Sequence, residues 1–164
     1  MNTKILVSAC LMGHAVRYNA SSKTLLSESL TRWRDEGRLV VHCPELAAGL
    51  TTPRLPAEIV GRDGDAVLDG NAAIVESDGR DVTPHYQLAA WLALDAARSA
   101  GCRFALLTDG SPTCGSETLY NGQFIGQRKP GSGVASALLR RHGIEVFSEA
   151  QIDLLQARLN EEEQ

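Results

Sequence analysis

The sequence predicts an α/β fold, a Rossmann-like three-layer domain with a mostly parallel sheet and a small hairpin excursion. Two observations predict it. Short apolar runs ("KILVSA", "RLVVH", "RFALLTD", "IEVF") recur along the chain, and helix-forming stretches with their own start and stop signals separate them. Strands that alternate with helices imply parallel pairing through right-handed crossovers.

Taken in order, Lys4–Ala9 is the first strand. Ser27–Glu36 reads as a helix, with Gly37 after it as a C-terminal stop. Arg38–His42 is the second strand, "PELAAGL" a helical turn, and "TTPRLPAE" an extended loop because of its two prolines. Residues 61–81 carry glycines and aspartates around two brief apolar runs, "AVLD" and "AAIV", and read as the hairpin or excursion. Thr83 and Pro84 supply an N-cap and a first-position proline for a helix running to Gly101. Arg103–Asp109 is a strand, followed by the turn-rich loop "GSPTCGS". Asn121-Gly122, between apolar residues, signals a hairpin turn. "SGVASALLRRH" is a helix closed by Gly143, and Ile144–Phe147 is the last strand. Ser148 with Gln151 makes a capping box for the final helix.

The 164 residues read as one domain, 1–164, large enough to bury a core without staples. The net charge of −4 argues against broad nucleic-acid binding, which needs a basic surface. No run approaches the ~18 apolar residues of a membrane span. The N-terminus has too short an apolar core for a signal peptide and reads as a strand, which points to a cytoplasmic protein.

In that compartment the four cysteines are free thiols, metal ligands or catalysts. Their spacing matches no zinc-finger pattern, so placement on the fold is the informative part. Cys10 directly follows the first strand, Cys43 the second, and Cys114 lies in the loop after the strand ending near Asp109. Ligands of parallel α/β sheets bind outside the carboxyl ends of the strands, so three thiols from distant parts of the chain are expected at one rim. Cys102 precedes its strand and belongs at the other end, where a buried thiol acts as a small hydrophobe. Three thiolates suit zinc or an iron–sulfur cluster, and spacing does not choose between them.

"KILVSACLMGHAVRYN", "VHCPELAAGLTTPRLPAEI", "GRDVT" and "SPTCGSETLYNGQFIG...GSGV" together resemble the family of small bacterial domains whose characterised members are thiouracil desulfidases. The resemblance runs from Lys4 to about Glu149, with several motifs in the same order. Its one departure is Ser-Pro-Thr-Cys where Ser-Pro-Ser-Cys is expected, a change that keeps the hydroxyl. The resemblance implies a [4Fe–4S] cluster on Cys10, Cys43 and Cys114. The fourth iron is expected to bind the sulfur of 4-thiouracil or its nucleoside monophosphate. Hydrolysis then gives the uracil form and sulfide without redox change.

Glu45, two residues past Cys43, is then the candidate general base on the water attacking C4, or a proton shuttle, with a proton held more tightly because of the buried cluster and an apolar surrounding. Its alternative is a first-turn carboxylate favoured by the helix dipole. Ser111 is a candidate hydrogen-bond donor to substrate or cluster, or else a turn serine before proline. Gly131, Ser132 and Gly133 open a helix and are the candidate phosphate cradle. Arg17 is a further substrate-binding candidate, and Arg54 either meets the same charges or ties down its loop. Tyr18 stacks on a pyrimidine or packs. His42 is expected on the face of its strand opposite Cys43. His85 and His142 sit at helix ends, and His14 has no assigned role. The tail "NEEEQ" reads as a solvated helix end.

A thiolated pyrimidine or nucleotide is thus the expected partner, with no membrane and tRNA disfavoured by the charge. Two readings of other classes stay open: a non-catalytic module that binds a nucleotide or metal, and a thiol redox sensor in which Cys10 and Cys43 pair.

Overall fold

A computed structural model describes residues 3–13, 17–19 and 27–163. Its elements run β1 (Lys4–Ser8), α1 (Glu28–Asp35), β2 (Leu39–His42), α2 (Pro44–Ala47), β3 (Ala57–Val60), α3 (Gly64–Leu68) and β4 (Ala73–Glu76). Then come α4 (Thr83–Ala100), β5 (Cys102–Leu107), β6 (Thr118–Tyr120), β7 (Arg128–Pro130), α5 (Val134–Arg141), β8 (Glu145–Ser148) and α6 (Ile152–Glu162).

The main sheet has the order β2-β1-β5-β8, and every neighbouring pair is parallel. Its central strands are apolar on both faces because helices cover both, as parallel sheets require. Leu6, Ala105 and Leu107 share a core with Ala90, Ala93 and Leu94 of α4 and Leu138 and Leu139 of α5. Ile5, Val7, Phe104 and Leu106 point the other way, onto Leu30 and Trp33 of α1 and Leu155 and Leu159 of α6. Period-two alternation along β1 and β5 thus feeds two cores, and the three layers follow.

The excursion differs from the sequence expectation. β4 pairs antiparallel with β3, not with the run "AVLD". Ala66–Leu68 lie in α3 instead, because Asp63 caps that helix by accepting the Ala66 amide at 3.0 Å. A second ribbon, β6–β7, is also antiparallel. Its strands flank residues 121–127, a longer loop than the tight turn expected of Asn121-Gly122. The Glu58 carboxylate, which accepts the Gly122 and Phe124 amides, holds that loop. Helix α4 begins at Thr83 itself, and Asp81 takes the capping role by accepting the Thr83 amide at 2.8 Å. The capping box at Ser148 and Gln151 forms as expected. The acidic tail does more than face water. Glu163 pairs with Arg38 at 2.6 Å and Glu162 with Arg103 at 3.3 Å.

Two glycines let the start of α5 lie against its neighbours, the loop that carries Cys114 on one side and the start of α3 on the other. A Cβ on Gly133 would stand 2.6 Å from the carbonyl carbon of Thr113, and one on Gly64 only 2.3 Å from that of Gly133. Both neighbours are backbone, which yields little. Gly133→Ala is expected to destabilise the protein by about 1–3 kcal/mol, the usual cost of overpacking. A urea unfolding midpoint below that of the parent protein checks this.

Candidate active site

At the carboxyl edge of the sheet a cavity of about 390 Å³ opens, the size of a small-molecule site. Cys10, Cys43 and Cys114 all line it. Cys10 sits in a single 3-10 turn directly after β1, and Cys43 is the N-cap residue of α2, directly after β2. Cys114 follows β5 through the loop 108–117. Cys102 opens β5 at the far end of the sheet and does not line the cavity.

The three thiols interact. Burial pushes the Cys114 thiol up to about 12, with Cys10 and Cys43 adding to the shift and the hydroxyls of Ser8 and Ser111 working against it. Burial also pushes Cys43 up; the Leu46 amide and Arg54 oppose this, and Cys10 adds to it. The Cys10 sulfur lies 2.8 Å from the Thr108 hydroxyl. Each thiolate makes the others harder to form, so the set lacks positive charge and suits a cationic group.

Among the described residues no three His, Cys, Asp or Glu side chains stand close enough to hold one metal ion. Tetrahedral zinc would draw its thiolates to within about 4 Å of one another. Iron–sulfur clusters are held by cysteine thiolates, one to an iron, and three cysteines lining one cavity supply that donor chemistry.

Raised thiols give the metal-free protein a pH dependence. An unfolded cysteine loses its proton near its ordinary value of 9.0, whereas folded Cys114 keeps it to about 12. Between those values the unfolded state holds fewer protons, so stability falls as pH rises, by up to about 1.4 kcal/mol per pH unit per thiol. Cys102, pushed by burial to about 11, adds a similar decline. Urea unfolding of the reduced, metal-free protein is expected to show a lower midpoint at pH 10.5 than at pH 8. Cys102→Ser is expected to make that difference smaller.

Glu45, in the first turn of α2, lines the same cavity. Its carboxylate accepts the Thr113 hydroxyl at 2.9 Å and forms an ion pair with Arg54. The Arg54 side chain is 5% exposed, so this pair is largely desolvated. The Arg54 guanidinium gives this carboxylate a charged partner beside the apolar surrounding expected of it. Arg54 also donates to the Thr51 carbonyl at 3.0 Å and bonds the buried Tyr86 hydroxyl. It ties down its loop, and the carboxylate it meets is that of Glu45. Thr113, where serine was expected, keeps the hydroxyl that Glu45 uses.

Ser111 lines the cavity too, but its hydroxyl accepts the Cys114 amide at 2.7 Å and the Thr113 amide at 3.2 Å. It shapes the loop under Cys114. Asp109 fixes the other end of that loop. Burial works against its charge, but the Thr118, Glu117 and Ser116 amides and the Thr118 hydroxyl hold the carboxyl below its ordinary range.

Gly131, Ser132 and Gly133 are not in the cavity wall, and the Gly131 and Gly133 amides are already engaged. The Gly131 amide bonds the Glu117 carbonyl, that of Gly133 the Gly115 carbonyl, and that of Val134 the Pro112 carbonyl. This helix start docks the Cys114 loop, and the Gly131, Gly133 and Val134 amides serve that contact rather than the phosphate cradle expected of them. Arg17 and Tyr18 do line the cavity. So does His42, the last residue of β2. His14 lies outside the described residues.

Several cavity residues gave little sign in the sequence. Ser8 and Thr108 are polar residues at the ends of apolar strands, which is a faint signal. Glu58, Tyr86, Phe124 and Arg128 come from the β3 ribbon, α4 and the β6–β7 ribbon, and only folding brings them here.

Comparisons with known proteins place the chain in a family. The model of the 2-thiouracil desulfurase family matches residues 5–151. An uncharacterised protein of Bacillus subtilis strain 168, YbbK, is 44% identical over 149 residues, covering 91% of this chain and 97% of that protein. The solved structure of the [4Fe–4S]-dependent thiouracil desulfidase TudS superposes with a TM-score of 0.88 at 47% identity, covering 97% of this chain and 99% of that one. A family match across nearly the whole sheet and all three cavity cysteines leads to one conclusion: this chain belongs to the 2-thiouracil desulfurase family.

Proposed function

We propose that this protein is a thiouracil desulfidase, exchanging the C=S of a thiolated uracil for C=O. Thiouracil and water give uracil and hydrogen sulfide, with no oxidation or reduction. The observation that carries this reading is the meeting of Cys10, Cys43 and Cys114 in one cavity with Glu45. The family and the [4Fe–4S]-dependent relative support it.

The three thiolates would hold a [4Fe–4S] cluster, which supplies an open iron as Lewis acid for the thiocarbonyl sulfur. Glu45, paired with Arg54 and oriented by Thr113, takes a proton from the water that attacks the carbon bearing sulfur. Ser111 and Ser8 hold the Cys114 sulfur by their hydroxyls. Tyr86 and Tyr18 contribute apolar wall.

Our finer reading places the sulfur at C4, in the base or its nucleoside monophosphate. Arg17 and Arg128, both in the cavity wall, are then the phosphate partners in place of the α5 helix start. A net charge of −4 disfavours tRNA, and four free thiols suit the reducing cytoplasm. Among the described residues no helix is long and apolar enough to cross a membrane.

The test is iron and acid-labile sulfide per chain on protein reconstituted without oxygen, followed by sulfide release from 2-thiouracil, 4-thiouracil and 4-thiouridine monophosphate. About four irons and turnover support the reading. Zinc, or no metal after reconstitution, rejects it and favours the regulatory or thiol-sensor alternatives. Turnover of 2-thiouracil alone rejects the C4 assignment only.

A further inference from the structure

Phe124 is the one non-glycine residue with positive φ among the described residues, at 56°. A bulky residue holds that conformation only where its surroundings impose it. Here they do. The Glu58 carboxylate, 8% exposed, accepts the Phe124 amide at 3.3 Å and the Gly122 amide at 2.9 Å. Gly122 lies so close to β3 that a Cβ would stand 2.6 Å from the Ile59 carbonyl oxygen. The Asn121 amide donates to the Gln127 carbonyl at 2.9 Å and closes the loop.

A turn that needed only this backbone would carry glycine at 124, as it does at positions 122 and 126. Phenylalanine stands there instead. It belongs to neither hydrophobic core, so packing does not account for it. It is half-buried and forms part of the cavity wall beside Tyr120. Arg128 adds to that rigidity, its guanidinium 5.1 Å from the centre of the Tyr120 ring.

We infer that Phe124 is a substrate-recognition residue, the preformed flat surface on which a planar pyrimidine ring stacks. Glu58 is its positioning residue, holding the loop in the strained turn that presents the ring. The inference rests on the desulfidase reading for the class of substrate. It adds the part of the cavity that recognises the ring itself, apart from the sulfur. Because the surface is fixed before binding, little ordering is lost when the base arrives.

Binding of uracil and of 5,6-dihydrouracil to the anaerobically reconstituted protein tests it. The two share carbonyls and N–H groups, but the second has a puckered, saturated C5–C6 edge. The parent protein is expected to bind uracil more tightly. Phe124→Gly relieves the positive φ, so its melting temperature and iron content should hold. Its uracil affinity should fall roughly tenfold to a hundredfold, with the preference for the planar ring erased. Phe124→Tyr should restore both. The inference is overturned if Phe124→Gly binds uracil within twofold of the parent, if the parent shows no preference, or if the variant loses its iron. Sulfide release by the parent protein is measured separately. Its absence rejects the desulfidase reading, whereas ring preference is read from binding alone.

Discussion

Cys114→Ser is expected to leave the protein folded but unable to retain its cluster, with turnover lost by more than about a hundredfold. Even changes behind the first ligands of a metal site cost 10- to 100-fold, and losing a ligand costs more. Serine is nearly the same size, so the buried site keeps its packing. What changes is the donor. The Cys114 thiol sits in a pocket shaped for sulfur, 8% exposed and flanked by the Ser8 and Ser111 hydroxyls. Burial and two neighbouring thiols leave it protonated when free, so its conversion to thiolate is coupled to arrival of the positive group. A serine hydroxyl is much harder to ionise and is a poor ligand for iron in a thiolate set. Iron per chain, visible absorption and sulfide release measure the loss. Cys102→Ser, altered at the opposite edge of the sheet, should match the parent protein in all three. Full iron retention by Cys114→Ser would remove Cys114 from the ligand set.

Glu45→Gln is expected to keep the iron and lower kcat by roughly 10²- to 10⁴-fold, the range of general acid–base catalysis, with a smaller change in KM. The amide keeps the shape of the side chain and a partner for the Thr113 hydroxyl, but it cannot take a proton. The same substitution leaves Arg54 charged, buried and unpaired, which costs about 3–5 kcal/mol of stability. Loss of activity alone would therefore not separate a catalytic base from a clasp that fastens α2 to the loop at residues 51–56. Adding Arg54→Met removes the orphaned charge. The double variant should recover most of the melting temperature while remaining inactive. Recovery of turnover along with stability would make Glu45 a structural clasp and leave the proton transfer to another group.

The rim of the sheet was legible because each cysteine's position depends on strand order and direction, which the alternation of apolar runs already states. Capping at Ser148 was legible for the same reason, since its partners are neighbours in sequence. Gly131–Gly133 carry the composition of an anion site, and the contacts they make instead were not legible. The Gly131, Gly133 and Val134 amides meet carbonyls of residues 112–117, a contact that sequence proximity does not reveal.

The sequence by itself determined the layer architecture, the strands and helices that build it, and the three thiols that gather at its rim. Those features depend on local periodicity and chain direction, and both are written along the backbone. Tertiary structure alone decided what surrounds the thiols. The Arg54 partner of Glu45, the Glu58 anchor of Phe124 and the burial that raises Cys114 each join residues far apart in the chain. Charge and strain at such a site depend on distance in space and on exclusion of water, and folding is what sets both.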